Sequence, residues 1–521
     1  MAVRILRSWW STAMLGLVWA VALNGAACAE PGEHGQPRGL GLMPDSMQRI
    51  RLQAEALLRP ATDSAAAATA MSCGRKTEAG NIAWASGDPP GGAWQPFGAW
   101  MRGRGAGVGL VTTVPFNHAT PAAFAVANVD RGNYSAADRE LGYQGPTLDS
   151  QLLLDFRPAV LVGGGHPHWD AGWTTERVLR AVRRQTDAIL VERRAGRDGG
   201  RALLAAAERA AARGQRLVGL FGGGSDGQLE HPLPLQTPGR PSFERALEDP
   251  HLAAATEAAM AVLAGRPGGW FLMVEAGDID WAVHERELGW LIGATAALDR
   301  AVRRAVELVD ARPQLDWSNT LLIVTADHAC GYDRLDPQRR SGAGELDGLE
   351  AALRTCAGAH SNELVSLAAR GAGAAHFHAL ERWYGPQPIV DNTQIHQVMR
   401  RAVASGTRHL LLFVADGLHR VHEVATSRYL YGRDHGLRWH AVDFTFQGWA
   451  ATWDVTSYDR LAAVFGAPAY RAGDFDPRIG YDPARGGVRP ALFAAPHRDY
   501  FLRPWILGRA DPLLTRLFSG P

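Results

Sequence analysis

The sequence predicts an α/β fold, a large, mostly parallel central sheet flanked by helices on both faces. Two observations carry that expectation. Short apolar runs alternate with amphipathic stretches over residues 158–414, the pattern of strands buried beneath helices on both sides. Residues able to do chemistry stand just beyond those runs, where open α/β sheets place their ligands. Bulk properties bound the rest. A chain of 521 residues exceeds what one hydrophobic core needs, so one large domain with insertions and two domains both fit its length. A net charge of +1 argues against a nucleic-acid-binding surface and fits an enzyme acting on small molecules. The hydrophobic content of 46% is ordinary, and 59 glycines with 30 prolines imply many turns and long surface loops.

Taken in order, residues 1–29 read as a secretion signal. Arg4 and Arg7 supply the positive start, Thr12 to Leu23 form an apolar run interrupted only by Gly16, and Ala27-Cys28-Ala29 offers a small-x-small cleavage site. The expectation is an exported protein, in a periplasm or secreted; Cys28 leaves a lipoprotein reading open. No later stretch is long and apolar enough to span a bilayer, so stable membrane insertion is not expected. Cleavage leaves Cys73, Cys330 and Cys356, too few to pair completely and without metal-knuckle spacing. A Cys330–Cys356 bridge and unpaired buried thiols both stay open.

Residues 45–58 turn helical after a Pro/Gly-rich start. The stretch 60–80, PATDSAAAATAMSCGRKTEAG, predicts a helix opening at Ser64: Asp63 and Ser64 are good caps, and the alanines that follow are the best helix formers. Its open N-terminus can hold an anion, because unpaired backbone N–H groups point outward there. An ordinary capped core helix is the competing reading. Residues 91–109 read as a Gly/Trp/Arg-rich loop, 108–114 as a strand, and 122–130 as a helix with Arg131 at its end. Further strands are predicted at 158–162, 188–191, 216–220, 270–274, 320–324, 363–369 and 409–414. Helices fall at 175–184, 201–213, 251–264, 285–310 and 393–403. Residues 221–242 read as a Gly/Pro loop and 331–359 as an irregular polar insertion. The final hundred residues look aromatic and turn-rich, with little periodicity.

The chemistry-bearing residues cluster at strand ends. Strand 270–274 delivers Glu275, and a helix starting near 280 puts Asp280 and His284 on one face, a zinc-ligand pairing. A surface His–Asp helix pair is the ordinary alternative. Asp327 and His328 follow strand 320–324, Asp416 follows the apolar HLLLFV strand, His360 precedes another strand, and His118 with Thr120 follow strand 108–114. Two or more divalent cations would account for so many acidic and imidazole groups at one edge. No G-x-S-x-G elbow surrounds Ser64, so a cation is the natural activator of its hydroxyl.

These strings resemble the alkaline phosphatase family. They are TDSAAAATAMSCGRKTEAG (62–80), VTTVPFNHATPAAFAVANVDR (111–131), LVGGG (161–165), FLMVEAGDIDWAVHE (271–285), TLLIVTADHA (320–329), HSNELVSLAARGAG (360–373) and DNTQIHQVM (391–399). The resemblance implies a single domain over 30–521, with core motifs between 60 and 400. It also implies a departure. The family opens with an apolar strand ending in a metal-ligand aspartate, whereas here LLLFVADGLHR stands at 410–420, after the core motifs. The chain therefore resembles a circular permutant, with the first strand moved into the aromatic-rich region 408–521.

Carried over by motif, Ser64 is the expected nucleophile and Arg131 the arginine gripping two phosphoryl oxygens. Asp280, His284 and His360 are implied ligands of one zinc; Asp327, His328 and Asp416 of a second; Asp416, Thr120 and Glu275 of a magnesium ion. His118 and Trp281 are implied to tune the third metal, leaving its identity less determined than the zinc pair. The implied activity is metal-dependent hydrolysis of small phosphate monoesters through a phosphoserine, with no nucleic-acid partner and with homodimers as in related enzymes. A phosphodiesterase on the same scaffold and an inactive, metal-stabilised secreted binding protein are the alternatives. Ser64 lacks the C/S-x-P-x-R setting of sulfatases.

Overall fold

The computed structural model describes residues 61–136, 145–170, 172–244, 246–312, 314–331, 333–336, 339–354 and 359–484. The expected secretion signal, the helix at 45–58 and Cys356 lie outside the described residues. Cys73 and Cys330 are free thiols.

Ten strands form one sheet: β1 (Gly107–Pro115), β2 (Val160–Gly164), β3 (Ala188–Glu192), β4 (Arg216–Leu220), β5 (Trp270–Ala276), β6 (Thr320–Thr325), β7 (Val365–Gly371), β8 (Ile389–Asp391), β9 (His409–Ala415) and β10 (Phe446–Ala451). Their order across the sheet is β8-β10-β7-β6-β9-β5-β1-β2-β4-β3. Seven neighbours, from β6 to β3, are parallel, and β8 is parallel to β10. Only β7 runs against its neighbours in this sheet.

The last apolar run of the sequence occupies the middle of the sheet. In β9, Phe413 lies between Val274 of β5 and Val324 of β6, and residues 410–414 are buried. A strand covered on both faces has no polar side, which explains its unbroken apolar sequence. The two covering layers can be told apart at β1. An added Cβ at Gly109 would meet Leu263 of helix Leu252–Ala264, whereas Val108, on the opposite face, lies against Gly98 of helix Phe97–Gly103.

Several expected elements differ. Residues 91–109 are not all loop: helix Phe97–Gly103 forms there, with Phe97 and Met101, one turn apart, buried in the core. The helix expected at 122–130 shrinks to Ala119–Ala123, because Asn128 instead bridges to Ile82 and its side chain accepts from the Asp130 amide. The described residues of the insertion at 331–359 are not all irregular: helix Leu346–Ala352 and two short strand pairs lie in and beside it. Residues 221–242 lead into the small hairpin Pro234–Leu235/Ser242–Phe243. The final stretch contributes helices Arg420–Tyr431 and Val455–Phe465 as well as β10. Residues 420–429 are buried on every face, so helix Arg420–Tyr431 lacks the one-sided periodicity of an amphipathic helix.

At the edge away from the site, His409 packs against Trp270 with ring centroids 4.9 Å apart, and His396 packs edge-on to Phe97. Burial, helped by Arg408 and Arg400 respectively, pushes each imidazole down to about 4. The unfolded chain binds protons on these groups from about pH 6.5 downward. Between about pH 6.5 and 4 the folded state thus holds fewer protons, and stability falls as pH falls. Thermal melts are expected to show a lower Tm at pH 5 than at pH 7, and His409→Phe to shrink that difference; an unchanged difference would refute the assignment.

Candidate active site

Ser64 opens helix Ser64–Cys73, and Asp63 caps it, with Oδ1 accepting from the Ala66 amide at 3.0 Å. The other carboxylate oxygen accepts from Gly80 N at 3.1 Å and from Arg131 Nη1 at 2.9 Å. One side chain thus terminates the helix and holds the arginine. The helix packs against Ala119–Ala123 and Asn392–Ala404, which the small alanine side chains permit. Lys76 anchors the segment beyond it, donating to Asn392 Oδ1 at 2.5 Å and to the Trp453 carbonyl at 2.8 Å.

The remaining predicted residues arrive from the carboxyl edge of the sheet. Glu275 is the penultimate residue of β5, Asp280 and His284 sit on helix Asp278–Glu285, Asp327 and His328 follow β6, and Asp416 follows β9. His360 reaches the same edge because β7 is antiparallel, so the residues before β7 lie where the other strands end. There His360–Ser361 pairs with Ala329–Cys330. The close approach of the β9 turn to Asp280 requires Gly417: its φ is +72°, and an added Cβ would lie 2.7 Å from Asp280 Oδ1.

The side chains meet as follows. Ser64 Oγ lies 3.2 Å from His328 Nε2, which in turn lies 3.2 Å from Asp416 Oδ1 and 3.6 Å from Asp327 Oδ2. Asp280 faces His284 Nε2 at 3.1 Å and His360 Nε2 at 3.6 Å through different oxygens. The rings of His328 and His360 stack at 3.7 Å. His360 Nδ1–H donates to the Thr62 carbonyl at 2.8 Å and His328 Nδ1–H to the Ala329 carbonyl at 3.3 Å. Each partner leaves the Nε2 lone pair facing the cluster, as metal-ligating imidazoles require. Thr112 donates to one oxygen of Glu275 at 2.5 Å, and Thr120 lies against the same carboxylate.

Electrostatics favour cations here. Burial and then repulsion from Asp280 and Glu275 push Asp416 well above the usual carboxylate range; burial and Asp416 do the same to Asp327. Burial raises Glu275 to about 7 against the pull of Thr112 and Arg131. Burial would raise Asp280 too, but His360, His284 and His328 outweigh it and hold that group well below the usual range. Glu275 Oε1, Asp280 Oδ1, Asp327 Oδ2 and both Asp416 oxygens are buried without a hydrogen-bond partner. Buried, unpaired carboxylate oxygens beside imidazole lone pairs are a donor set suited to divalent metal. Among the described residues, three groups have ligand atoms close enough for an ion: Asp280, His284 and His360; Asp280, His328 and Asp416; and His118, Glu275 and Asp416.

Two features were not legible beforehand. His118, expected only to tune a metal, stands among the possible ligands, with burial and Arg131 pushing its imidazole down to about 3. Its Nε2 is 3.0 Å from Arg131 Nη2, and Trp281 meets its ring edge-on at 5.6 Å. The role of Asp63 as the anchor of Arg131 was also missed. The 67-residue gap between them gives no local signal, and Asp63 reads from sequence only as a cap.

The sequence profile described as "Alkaline phosphatase" matches residues 46–345. The chain is 33% identical over 297 residues to streptomycin-6-phosphate phosphatase of Streptomyces griseus, covering 51% of this chain and 61% of that protein. It is 28% identical to alkaline phosphatase 4 of Bacillus subtilis, covering 52% and 50%, and 28% identical to alkaline phosphatase of Escherichia coli, covering 66% and 74%. The chain thus spans half to three-fifths of the first two relatives. Among solved structures it is similar to alkaline phosphatase from the Antarctic bacterium TAB5, with TM-score 0.47, 21% identity and coverage of 66% and 85%. It is likewise similar to that of Thermus thermophilus, with TM-score 0.41, 28% identity and coverage of 56% and 53%.

Proposed function

Because this chain belongs to the alkaline phosphatase family, we propose that it hydrolyses phosphate monoesters through a phosphoserine on Ser64. One observation carries the reading: the Ser64 hydroxyl sits at a helix N-terminus, 3.2 Å from His328, beside buried carboxylate oxygens that lack partners. Asp280, His284 and His360 would hold one zinc, and Asp327, His328 and Asp416 a second, sets of imidazole and carboxylate that suit zinc. Glu275, Thr120 and Asp416 would hold magnesium through oxygen, with His118 close enough to add a nitrogen. Bound metal lowers the pKa of a serine hydroxyl and neutralises the charge of phosphate and leaving group.

The chain's own groups then perform two displacements. Ser64 Oγ, having lost its proton, attacks phosphorus; the Oγ–P bond forms as the ester P–O bond breaks, and the alcohol leaves after gaining a proton. Water next attacks phosphorus from the opposite side, the Oγ–P bond breaks, Ser64 regains a proton, and inorganic phosphate departs. Arg131 grips the phosphoryl oxygens with its planar fork, oriented by Asp63. The purified protein is expected to hydrolyse an aryl phosphate at alkaline pH, to lose that activity on chelation and to regain it with zinc and magnesium. Diester hydrolysis in excess of monoester hydrolysis would replace this reading with a phosphodiesterase. No turnover with metals bound would replace it with a binding role.

Asp63→Asn tests the arginine anchor. Asparagine caps helices as well as aspartate does, so the fold should persist. Loss of the charged hydrogen bond is expected to raise KM roughly 10-fold or more, with a smaller change in kcat. An unchanged KM would mean that Arg131 is positioned without Asp63.

The permuted topology belongs to the same proposal. β9 lies between β5 and β6, and Asp416 at its end borders two of the three ligand groups. The segment after β10 returns to the serine: Val455 N donates to the Thr77 carbonyl at 2.9 Å, and Ala79 N to Thr456 Oγ1 at 2.9 Å. This juxtaposition supports a continuous family domain whose first strand and connection to the serine have moved to the C-terminal side. Export directed by residues 1–29 is proposed on sequence grounds.

A further inference from the structure

Ser64 is 2% exposed, and Asp327, His328 and Asp416 are fully buried. The partly exposed groups around them mark where the cluster opens to solvent. The side chains of Arg131 and Asp63 are 23% and 20% exposed, and those of His360 and His284 are 21% and 36% exposed. Trp281 stands at the same opening. It is partly exposed, directly follows Asp280 and precedes His284 by one helical turn. In-line displacement puts the leaving oxygen on the side of phosphorus away from Ser64. The alcohol portion of a bound ester therefore lies among these rim residues.

On the side of Arg131 the rim is aromatic. The ring of His118, whose Nε2 lies 3.0 Å from Arg131 Nη2, is met edge-on by Trp281 at 5.6 Å and by Trp173 at 6.1 Å. Tyr134 lies within electrostatic reach of the Arg131 guanidinium. Its ring is nearly parallel to His118 at 6.4 Å and touches Trp173 at 4.4 Å. Both Tyr134 and Trp173 are partly exposed, and neither has a part in the displacements described above. Packing fixes the two rings. Asn117, buried beside His118, donates through Nδ2 to the Tyr134 carbonyl at 3.0 Å and to the Trp173 carbonyl at 2.8 Å. Trp173 rests on Gly227, where an added Cβ would come within 2.6 Å of the indole, and its Nε1–H donates to Asp170 Oδ2 at 3.3 Å.

We propose that Trp281, Tyr134 and Trp173 form an aromatic collar that selects phosphate monoesters whose alcohol portion carries an aromatic ring. This assignment rests on the phosphate-ester reading of the metal centre and adds its substrate class. An aromatic ring has a negative face and a positive edge, which complement the faces and edges of indole and phenol; a saturated ring of the same size has neither. Rings already held by Asn117, Gly227 and Asp170 lose little freedom on binding, so little of the contact is offset by ordering. Arg131 grips the phosphoryl group, and the collar discriminates among the groups attached to it.

Phosphonates test this without turnover, because their C–P bond is not the ester bond that the reaction breaks. Zinc- and magnesium-loaded protein is titrated calorimetrically with benzylphosphonate, cyclohexylmethylphosphonate and inorganic phosphate. Benzylphosphonate is expected to bind about 5-fold or more tightly than its saturated counterpart. Hydrophobic transfer alone would favour the saturated ring, so the direction of the preference identifies its source. Trp173→Leu and Tyr134→Leu, made separately, are each expected to lower that ratio at least about 2-fold. A merely structural loss would weaken both phosphonates alike and leave the ratio where it was. Phosphate binding combined with a wild-type ratio of one or below, or with a ratio that neither variant moves, overturns the collar and spares the reading of the metal centre. Failure of inorganic phosphate to bind the metal-loaded protein overturns that reading, and the collar with it.

Discussion

Ser64→Ala is expected to lower kcat/KM for an aryl phosphate by at least about 10³-fold, with fold and metal content intact. The substitution removes one oxygen whose polar contact is His328. It leaves the Asp63 cap, the buried alanine face and every metal-ligand candidate in place. Acid-quenched wild-type protein should carry a phosphoryl group on the peptide containing Ser64 by mass spectrometry, and the variant should carry none. Metal analysis and circular dichroism separate this result from misfolding. A variant retaining more than about a tenth of wild-type kcat/KM would exclude Ser64 as nucleophile, since a covalent route has no substitute for its attacking atom.

Asp416→Asn is expected to have a comparable effect for a different reason. Asp416 belongs to two of the three ligand groups, and both its oxygens are buried without hydrogen-bond partners. Asparagine keeps the shape but removes the charge and replaces one acceptor oxygen with a donor nitrogen, which cannot ligate a cation. Loss of at least one bound metal per chain and an activity drop of about 10³-fold are the expected outcome, measured by elemental analysis and aryl phosphate turnover. Full metal content in the variant would detach β9 from the centre and sink the permuted arrangement. Together the two variants separate the atom that attacks from the charge that gathers the cations.

Much of this arrangement was readable in advance because local signals were strong. The alanine run after Asp63 specifies a helix that begins at Ser64, and the apolar runs at 216–220, 270–274 and 409–414 specify strands close to where they lie. The Asp280/His284 spacing predicts a shared helix face, and helix Asp278–Glu285 provides it. Where local signals were weak or misleading, the expectation failed. Phe97 and Met101 lie one turn apart among glycine, tryptophan and arginine, so their helix was hidden in a stretch that reads as loop. Residues 420–431 have no one-sided apolar pattern, because Arg420, Glu423 and Arg428 are buried with partners rather than solvated.

By itself the sequence determined the α/β class, the position of the helix that opens at Ser64 and the types of side chain at the strand ends, because each depends on residues within a turn or strand of one another. Only the tertiary structure decided which of those ends meet. The reversed direction of β7 carries His360 to the edge where the parallel strands finish, and the insertion of β9 between β5 and β6 sets Asp416 between Glu275 and Asp327. It likewise decided that Asp63 anchors Arg131 and that His118 stands among the candidate ligands. These pairings join residues far apart in the chain, and strand order and direction arise from packing the whole sheet rather than from any local preference.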